Sequence, residues 1–544
     1  MVPATVIKLS IIVAFFAVTL LVGILSNRSA KGLDGFVLGG RSVGPWLTAF
    51  SFGTSYFSAV IFIGYAGRFG WNFGLASTWI GLGNALIGSL LAWVLLGRRT
   101  RVMTQHIGSR TMPDFFGLRY GSRALRVASA VIVFIFLIPY TASLFNGLAQ
   151  LFSASFSLKY AWWVVIMAVL TGVYVIVGGY MGSAINNFIQ GIIMLVGIAA
   201  VVVAVISNNG GLMEAIARLS EDSVQVGAEA TEFKGAYTSF FGPRPLQLLG
   251  VVVLTSLGTW GLPQMVGKFY AIKDEGAIKK GTVVSTVFAL IVAGGCYFLG
   301  GFGRLYADSI ELNASGAPVS FDAIIPAMLS AVETALGNGG AWLVGLVLIL
   351  VLAASMSTLS SLAMTSASTI TLDLIAPLCK KNRSEKSQML VMRLLVAVSI
   401  VIAAAIAILV VSNKELASRL YISDLMGVSW GALSGCFLAP FLYGLYWKGV
   451  SRAAVWVSFG TGLGITMTQF VLNAVCKITF ENPVLAYFCG SSINAGMLAM
   501  VVGLVTVPVV SLLTKRTRPA DTDGMFACYD RMVEVPVGVA LENE

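Results

Sequence analysis

The sequence predicts an all-α polytopic membrane protein that crosses the bilayer about thirteen times, and three observations predict it. Hydrophobic residues make up 57% of the 544 positions and charged residues only 11%, against about a quarter charged in soluble domains. Apolar runs of about twenty residues, enough to cross the hydrocarbon core as a helix, recur along nearly the whole chain. The basic residues behind the net charge of +11 fall between those runs. That placement fits orientation in a lipid bilayer and gives no reason to invoke nucleic acid. The single histidine, His106, and six cysteines without metal-ligand spacing argue against a metal or histidine-based catalytic centre. Cys476 and Cys489 fall near one extracellular connection and are candidates to pair.

The first span, about Ala4 to Leu25, lacks a small-residue cleavage site and reads as a retained helix. The second, about Pro45 to Phe69, is interrupted by the glycine- and hydroxyl-rich stretch Phe50 to Ser58. The third runs from about Gly74 to Leu96, and spans four to six cover Val127–Phe152, Ala161–Val177 and Ala184–Ile206. After a polar segment the seventh, about Leu246 to Phe269, contains Gly258-Thr259-Trp260-Gly261-Leu262-Pro263, which a continuous helix does not accommodate. The eighth is about Gly281 to Gly303 and the ninth about Ala341 to Thr371. Four more lie near Val391–Val411, Tyr421–Trp447, Ala453–Ala474 and Ala495–Leu513.

Odd spans lead into basic loops: Arg28 and Lys31, an arginine cluster from Arg98 to Arg126, Lys279 and Lys280, Lys380, Lys381 and Arg383, then Lys448 and Arg452. Basic loops stay inside, so the N-terminus is expected outside and the C-terminus inside. The two broken spans, second and seventh, stand an odd number of helices apart, so the halves they begin have opposite orientation. Paired broken helices at corresponding positions point to an inverted-repeat transporter with its site at mid-membrane. The expected organisation is an extra N-terminal helix and loop in 1–43, five-helix repeats in 44–206 and 246–447, and an extracellular loop in 207–245 between them. Two C-terminal helices in 448–514 and a cytoplasmic tail in 515–544 complete it.

Within the ninth span, Ala354, Ser357, Thr358 and Ser361 share one helix face. Small polar residues serve close helix packing in membranes. Hydroxyl and carbonyl oxygens without formal charge also suit a loosely held hard cation.

Several stretches resemble the sodium/solute symporter family, whose members carry proline, pantothenate, sugars, monocarboxylates and iodide with sodium. They are Phe36 to Trp46 (FVLGGRSVGPW), Thr111 to Phe116 (TMPDFF), Val177 to Gln190, Gly261 to Ala271, Ala354 to Ser361 (ASMSTLSS) and Trp430 to Pro440. The resemblance covers about residues 36 to 450, in order and in register. It implies a LeuT-type five-plus-five inverted repeat, sodium as coupling ion and no enzymatic activity. Carried over by position, the sodium ligands are the carbonyls of Thr54, Phe57 and Ala354 and the hydroxyls of Ser357 and Thr358. A second sodium site of some relatives maps to Asn187, Ser360 and Ser361. Here Asn186-Asn187 stands where those relatives have Thr-Asp, so the carboxylate is missing and one sodium per substrate is expected.

The substrate is expected beside the two breaks, against Tyr56, Phe57, Ser58, Phe62, Tyr140, Asn146, Thr255, Thr259, Trp260 and Gln264. Val60 and Ile61 replace the polar side chains of sugar carriers. Tyr56, Thr255 and Thr259 differ from the proline carriers. No buried lysine or arginine is evident to hold a large anion, and Arg68 falls near a helix end. A small neutral or zwitterionic solute fits best, with a monocarboxylate or vitamin next. Proton coupling needs a titratable group at membrane depth, and Asp424, near a span end, is the one candidate. A solute sensor would need a separate signalling partner, because the tail from Lys515 is too short for a catalytic domain. The cell membrane is the expected location.

Overall fold

Backbone polar groups find no water inside a bilayer, so a spanning chain pairs them within helices, and the computed structural model is built that way. It describes residues 4–530 except 27–31, 157, 227–230, 315, 379–383, 414–421, 477 and 479. Arg28, Lys31, Lys380, Lys381 and Arg383 of the basic loops, and 531–544 of the tail, lie outside the described residues. Among those described, ten helices are long and apolar enough to cross a membrane, or up to eleven when one bent pair counts as a span. The one sheet among them is a hairpin, Ser223–Val226 paired antiparallel with Thr231–Lys234.

Two of the ten are too long for one crossing. Val60–His106 has 47 residues and Tyr160–Asn208 has 49, roughly 70 Å each against about 30 Å of hydrocarbon. Both break at a glycine with positive φ, Gly74 at 60° and Gly179 at 56°. At Gly74 a Cβ would also meet the Tyr237 carbonyl oxygen at 2.1 Å, so conformation and space both demand glycine.

The first broken helix starts at Pro45, whose fixed φ suits a first helical turn. It stays helical through Tyr56, turns extended at Phe57 (φ −102°, ψ 102°), and resumes over Val60–Tyr65 and Ala66–Phe73. The interruption is therefore confined to Phe57–Ser58 rather than spread from Phe50. Thr54 lies within the intact part and donates its hydroxyl to the Phe50 carbonyl one turn back at 2.8 Å. Gly53 is helical; a Cβ there would lie 2.4 Å from the Phe288 ring.

The second broken helix runs Pro245–Leu257, turns tightly over Gly258–Gly261, and restarts at Pro263 after an extended Leu262. Its two halves are bent by 47°. Around these breaks stand the most enclosed spans: Gly339–Ile375 and Ile422–Tyr446 bury 83% and 94% of their most apolar stretch, against 28% for Ala4–Ser26. The N-terminal helix lies outside them, on Tyr160–Asn208 and Asn338–Thr369, while Arg452–Phe470 and Ser492–Leu513 cover Ile422–Tyr446. Cys476 and Cys489 are both free thiols, so the candidate pair is not joined.

Backbone contact without side chains fixes one further junction. A Cβ on Gly70 would lie 1.9 Å from the Gly300 carbonyl oxygen, whereas a Cβ on Gly294 meets nothing within 4 Å. Gly70→Ala is expected to lower the melting temperature in detergent, at a cost of about 1–3 kcal/mol for forced overpacking, while Gly294→Ala changes it little. Equal melting curves for the two variants would contradict this packing.

Candidate ion and substrate site

The break in the first helix leaves carbonyls without partners. Phe57 N donates back to Gly53 O, and the next backbone bonds run from Ile61 and Phe62 to Ser58 O. The carbonyls of Thr54 through Phe57 therefore lie in the gap between two hydrogen-bond ladders. The serine helix, Asn338–Thr369, meets that gap. Ser357 Oγ donates to Thr54 O at 2.8 Å, and Thr358 Oγ1 lies 3.3 Å from Thr54 O and 3.4 Å from Ser55 O. Both hydroxyls are also bonded to Ala354 O, at 2.9 and 3.0 Å. Thr54, Ala354, Ser357 and Thr358 thus come together as the sequence implied, and Ser55 O joins them.

Phe57 sits at the break itself. Its ring stacks on Tyr56 with centroids 4.3 Å apart, and no hydrogen bond links it to the serine helix among the described residues. The donor set consists of uncharged oxygens in a fully buried setting. That chemistry fits a monovalent hard cation. No cluster of three His, Cys, Asp or Glu residues suited to a multivalent metal exists among the described residues.

The second-site candidates behave differently. Ser360 Oγ returns to Ser357 O at 2.8 Å, while Ser361 Oγ lies 2.8 Å from Ser55 Oγ and accepts from Lys268 Nζ at 2.9 Å. Asn187 is buried with neither amide atom bonded, and Asn186 instead donates to Thr19 O on the N-terminal helix. Lys268 is only 6% exposed, which corrects the expectation that no lysine is buried. Its position five residues past Pro263, near the predicted span end, gave no sign that the helix turns it inward.

Of the substrate candidates, Tyr56, Ser58 and Tyr140 converge with Trp430. Ring centroids of Tyr56 and Tyr140 lie 6.1 and 5.9 Å from that of Trp430. Ser58, Tyr140 and Trp430 bring their buried polar groups within reach of one another, while both amide atoms of Gln264 are buried without hydrogen-bond partners, an uncommon condition in a folded interior. Tyr56 Oη is bonded to Thr255 O at 2.6 Å. Thr255, Thr259 and Trp260 are bonded to the backbone: Thr255 to Val251 O, Thr259 to Gly88 O and Trp260 to Ile87 O. Phe62 is buried apolar surface and Asn146 accepts from Tyr160 Oη. Trp430 was legible only as part of a motif.

Charged clusters lie at opposite helix ends. At one, Arg68 on the upper half of the first broken helix pairs with Asp424 at 3.0 Å and donates to Ser423 Oγ. At the end bearing the basic loops, Arg126 bridges Asp114 at 3.0 Å and Asp373 at 2.9 Å. Thr111 donates to Asp373 and caps the short helix Met112–Arg119 by accepting from Asp114 N. Buried carboxylates are thus more numerous than the sequence suggested, but they sit in these end clusters. Asp373 lies just past the predicted ninth span.

The sodium:solute symporter family model matches residues 36–460. The chain belongs to the sodium:solute symporter family. Sodium is its coupling ion, and it is a multi-pass membrane protein. Among curated proteins it is 27% identical to the sodium/proline symporter of Escherichia coli (strain K12) over 484 residues, covering 85% of this chain and 90% of that one. It is 28% identical to a sodium/proline symporter of Staphylococcus aureus (strain JH9), with 81% of each covered. A solved Na+-coupled sialic acid symporter, substrate-bound and outward-open, superposes with a TM-score of 0.67 at 15% identity over 93% of this chain and 98% of that one. That likeness establishes the shared fold of this symporter.

Outside the spans, burial lifts the Asp322 carboxyl to about 6, against the opposing pull of the Ile422 N–H and Arg68; Asp424 and Tyr160 also face it. A raised native pKa means the folded protein keeps a proton that the unfolded chain has lost between about pH 4 and 6. Its destabilising effect is therefore absent below that window and complete above it. Asp322→Asn is expected to gain melting temperature relative to wild type as pH rises from 4.5 to 7.5. A difference that stays flat across that range would contradict this environment for Asp322.

Proposed function

We propose that this symporter carries a small neutral or zwitterionic organic solute into the cell, drawn by the inward movement of one sodium ion through alternating access. The observation carrying the ion site is the meeting of Ser357 and Thr358 with the Thr54 carbonyl across the helix break. Thr54, Phe57, Ala354, Ser357 and Thr358 are the proposed ligands, with Ser55 O added by geometry. Filling the gap with a cation satisfies carbonyls that the break exposes, so ion binding and the shape of the first broken helix are linked.

The solute is proposed to lie between the breaks, against Tyr56, Ser58, Tyr140, Trp430 and Gln264, where the buried Gln264 amide is without a partner. A solute carboxylate there meets the N-terminus of the helix restarting at Pro263. The names of the curated relatives place proline first in a substrate panel.

The same reading sets the frame: thirteen spans, obtained by dividing the long helices at Gly74 and Gly179 and by joining the halves of each broken helix. The basic loops lie inside, the N-terminus outside, and the repeats occupy 44–206 and 246–447 in a cell membrane. Arg68–Asp424 then closes the outer side and Arg126 with Asp114 and Asp373 the inner side.

In proteoliposomes, uptake of amino acids, monocarboxylates, sugars and vitamins under an imposed sodium gradient identifies the solute. Ser357→Ala and Thr358→Ala are each expected to raise the sodium concentration for half-maximal uptake at least about tenfold, the worth of 1.4 kcal/mol. Ser360→Ala should shift it less than about twofold. Unchanged sodium affinity in the first two variants would return these hydroxyls to helix packing. Uptake abolished by a protonophore with the sodium gradient clamped would replace sodium with the proton.

A further inference from the structure

Lys268 is a charge in the wrong place for a packing residue. Lysines at membrane depth pair with carboxylates or reach toward the interface. Here Nζ donates to Ser361 Oγ at 2.9 Å, and no carboxylate pairs with it among the described residues. From the ammonium a short path of hydrogen bonds leads to the ion cradle. Ser361 Oγ is 2.8 Å from Ser55 Oγ and 3.1 Å from Ser357 O, and Ser357 Oγ is 2.8 Å from Thr54 O. Ser361 lies four residues from Ser357, about 6 Å along the helix at 1.5 Å per residue. The oxygen stripe therefore offers two neighbouring cation positions: one at Ser357 and Thr358, the other a turn away at Ser360 and Ser361.

Several buried polar atoms around the second position are unsatisfied. Ser51 Oγ, Ser183 Oγ and both amide atoms of Gln264 are buried without partners, and they line a cavity of about 60 Å³ together with Lys268 and Ser361. Asn187, one helical turn from Ser183, is equally buried and unbonded. This lining has hydroxyls and amides to solvate a cation, and a second basic residue in Arg110, which pairs with Asp34, but no carboxylate to anchor a free ion.

We propose that the Lys268 ammonium is a tethered cation filling the second position, so that the protein binds a single sodium. A free ion beside it would be repelled at close range in a medium with little screening. The lysine also holds three elements together: the second broken helix that carries it, the serine helix through Ser361, and the first broken helix through Ser55. A mobile ion would need reloading in every cycle, whereas the tether stays.

This inference rests on the sodium site proposed at Ser357 and Thr358, and radioactive-sodium binding to purified protein in detergent, without solute, tests the two separately. Wild type is expected to saturate at one sodium per chain, lost in the Ser357→Ala, Thr358→Ala double variant. Asn187→Asp alone stays at one, because the new carboxylate pairs with Lys268. Lys268→Gln combined with Asn187→Asp is expected to bind two, with the Hill coefficient rising toward two.

Two sodium ions on wild type, a second gained by Asn187→Asp with the lysine in place, or one only on a folded Lys268→Gln, Asn187→Asp protein would each overturn the tethered-cation assignment. Should that combined variant not fold, the wild-type and Asn187→Asp stoichiometries still decide. Loss of no sodium in the Ser357→Ala, Thr358→Ala variant would instead overturn the first site.

Discussion

The helix break at Phe57–Ser58 is the constraint on which the rest depends. Leaving a carbonyl unpaired in a buried setting costs about 1–3 kcal/mol, and the break frees several at once. The serine helix answers with two adjacent hydroxyls aimed at Thr54 O. Hydroxyls both donate and accept, so the same Ser357 and Thr358 satisfy the carbonyls directly or join them around a cation. That dual capacity is what the proposed ion site requires.

Charged clusters anchor the two helices that meet at the break. The upper half of the first broken helix ends near Arg68, held by Asp424. The serine helix ends near Asp373, held by Arg126 and Thr111. Each cluster joins a site-bearing helix to another element through charge-assisted hydrogen bonds. Glycine contacts such as Gly70 on Gly300 instead let two backbones approach without intervening side chains.

Much of this was legible in the sequence for definite reasons. Ala354, Ser357, Thr358 and Ser361 announce a face by their spacing, and glycine with proline at Gly258–Pro263 announces a break. What was missed depends on packing between distant segments. Phe50 to Ser58 reads as a long interruption, but membrane helices tolerate glycine and hydroxyl residues, and Thr54 and Gly53 remain helical. Lys268 reads as a span-end residue until Ser361, 93 positions later, is found against it. Asp322 and Asp373 fall outside the expected spans, and only tertiary contacts bury them. Asn187 shows the reverse: its departure from the expected carboxylate was visible at once, while its consequence required Lys268.

The central claim is that sodium binds where the break exposes carbonyls. Hydrogen–deuterium exchange of the purified protein, without solute, tests it most directly. Sodium, compared with an equal concentration of potassium, is predicted to slow exchange in the peptides spanning Phe57–Phe62 and Ala354–Ser361, and Ser357→Ala to erase the difference. Identical exchange in the two salts across both segments, under conditions where sodium drives uptake, would contradict the account.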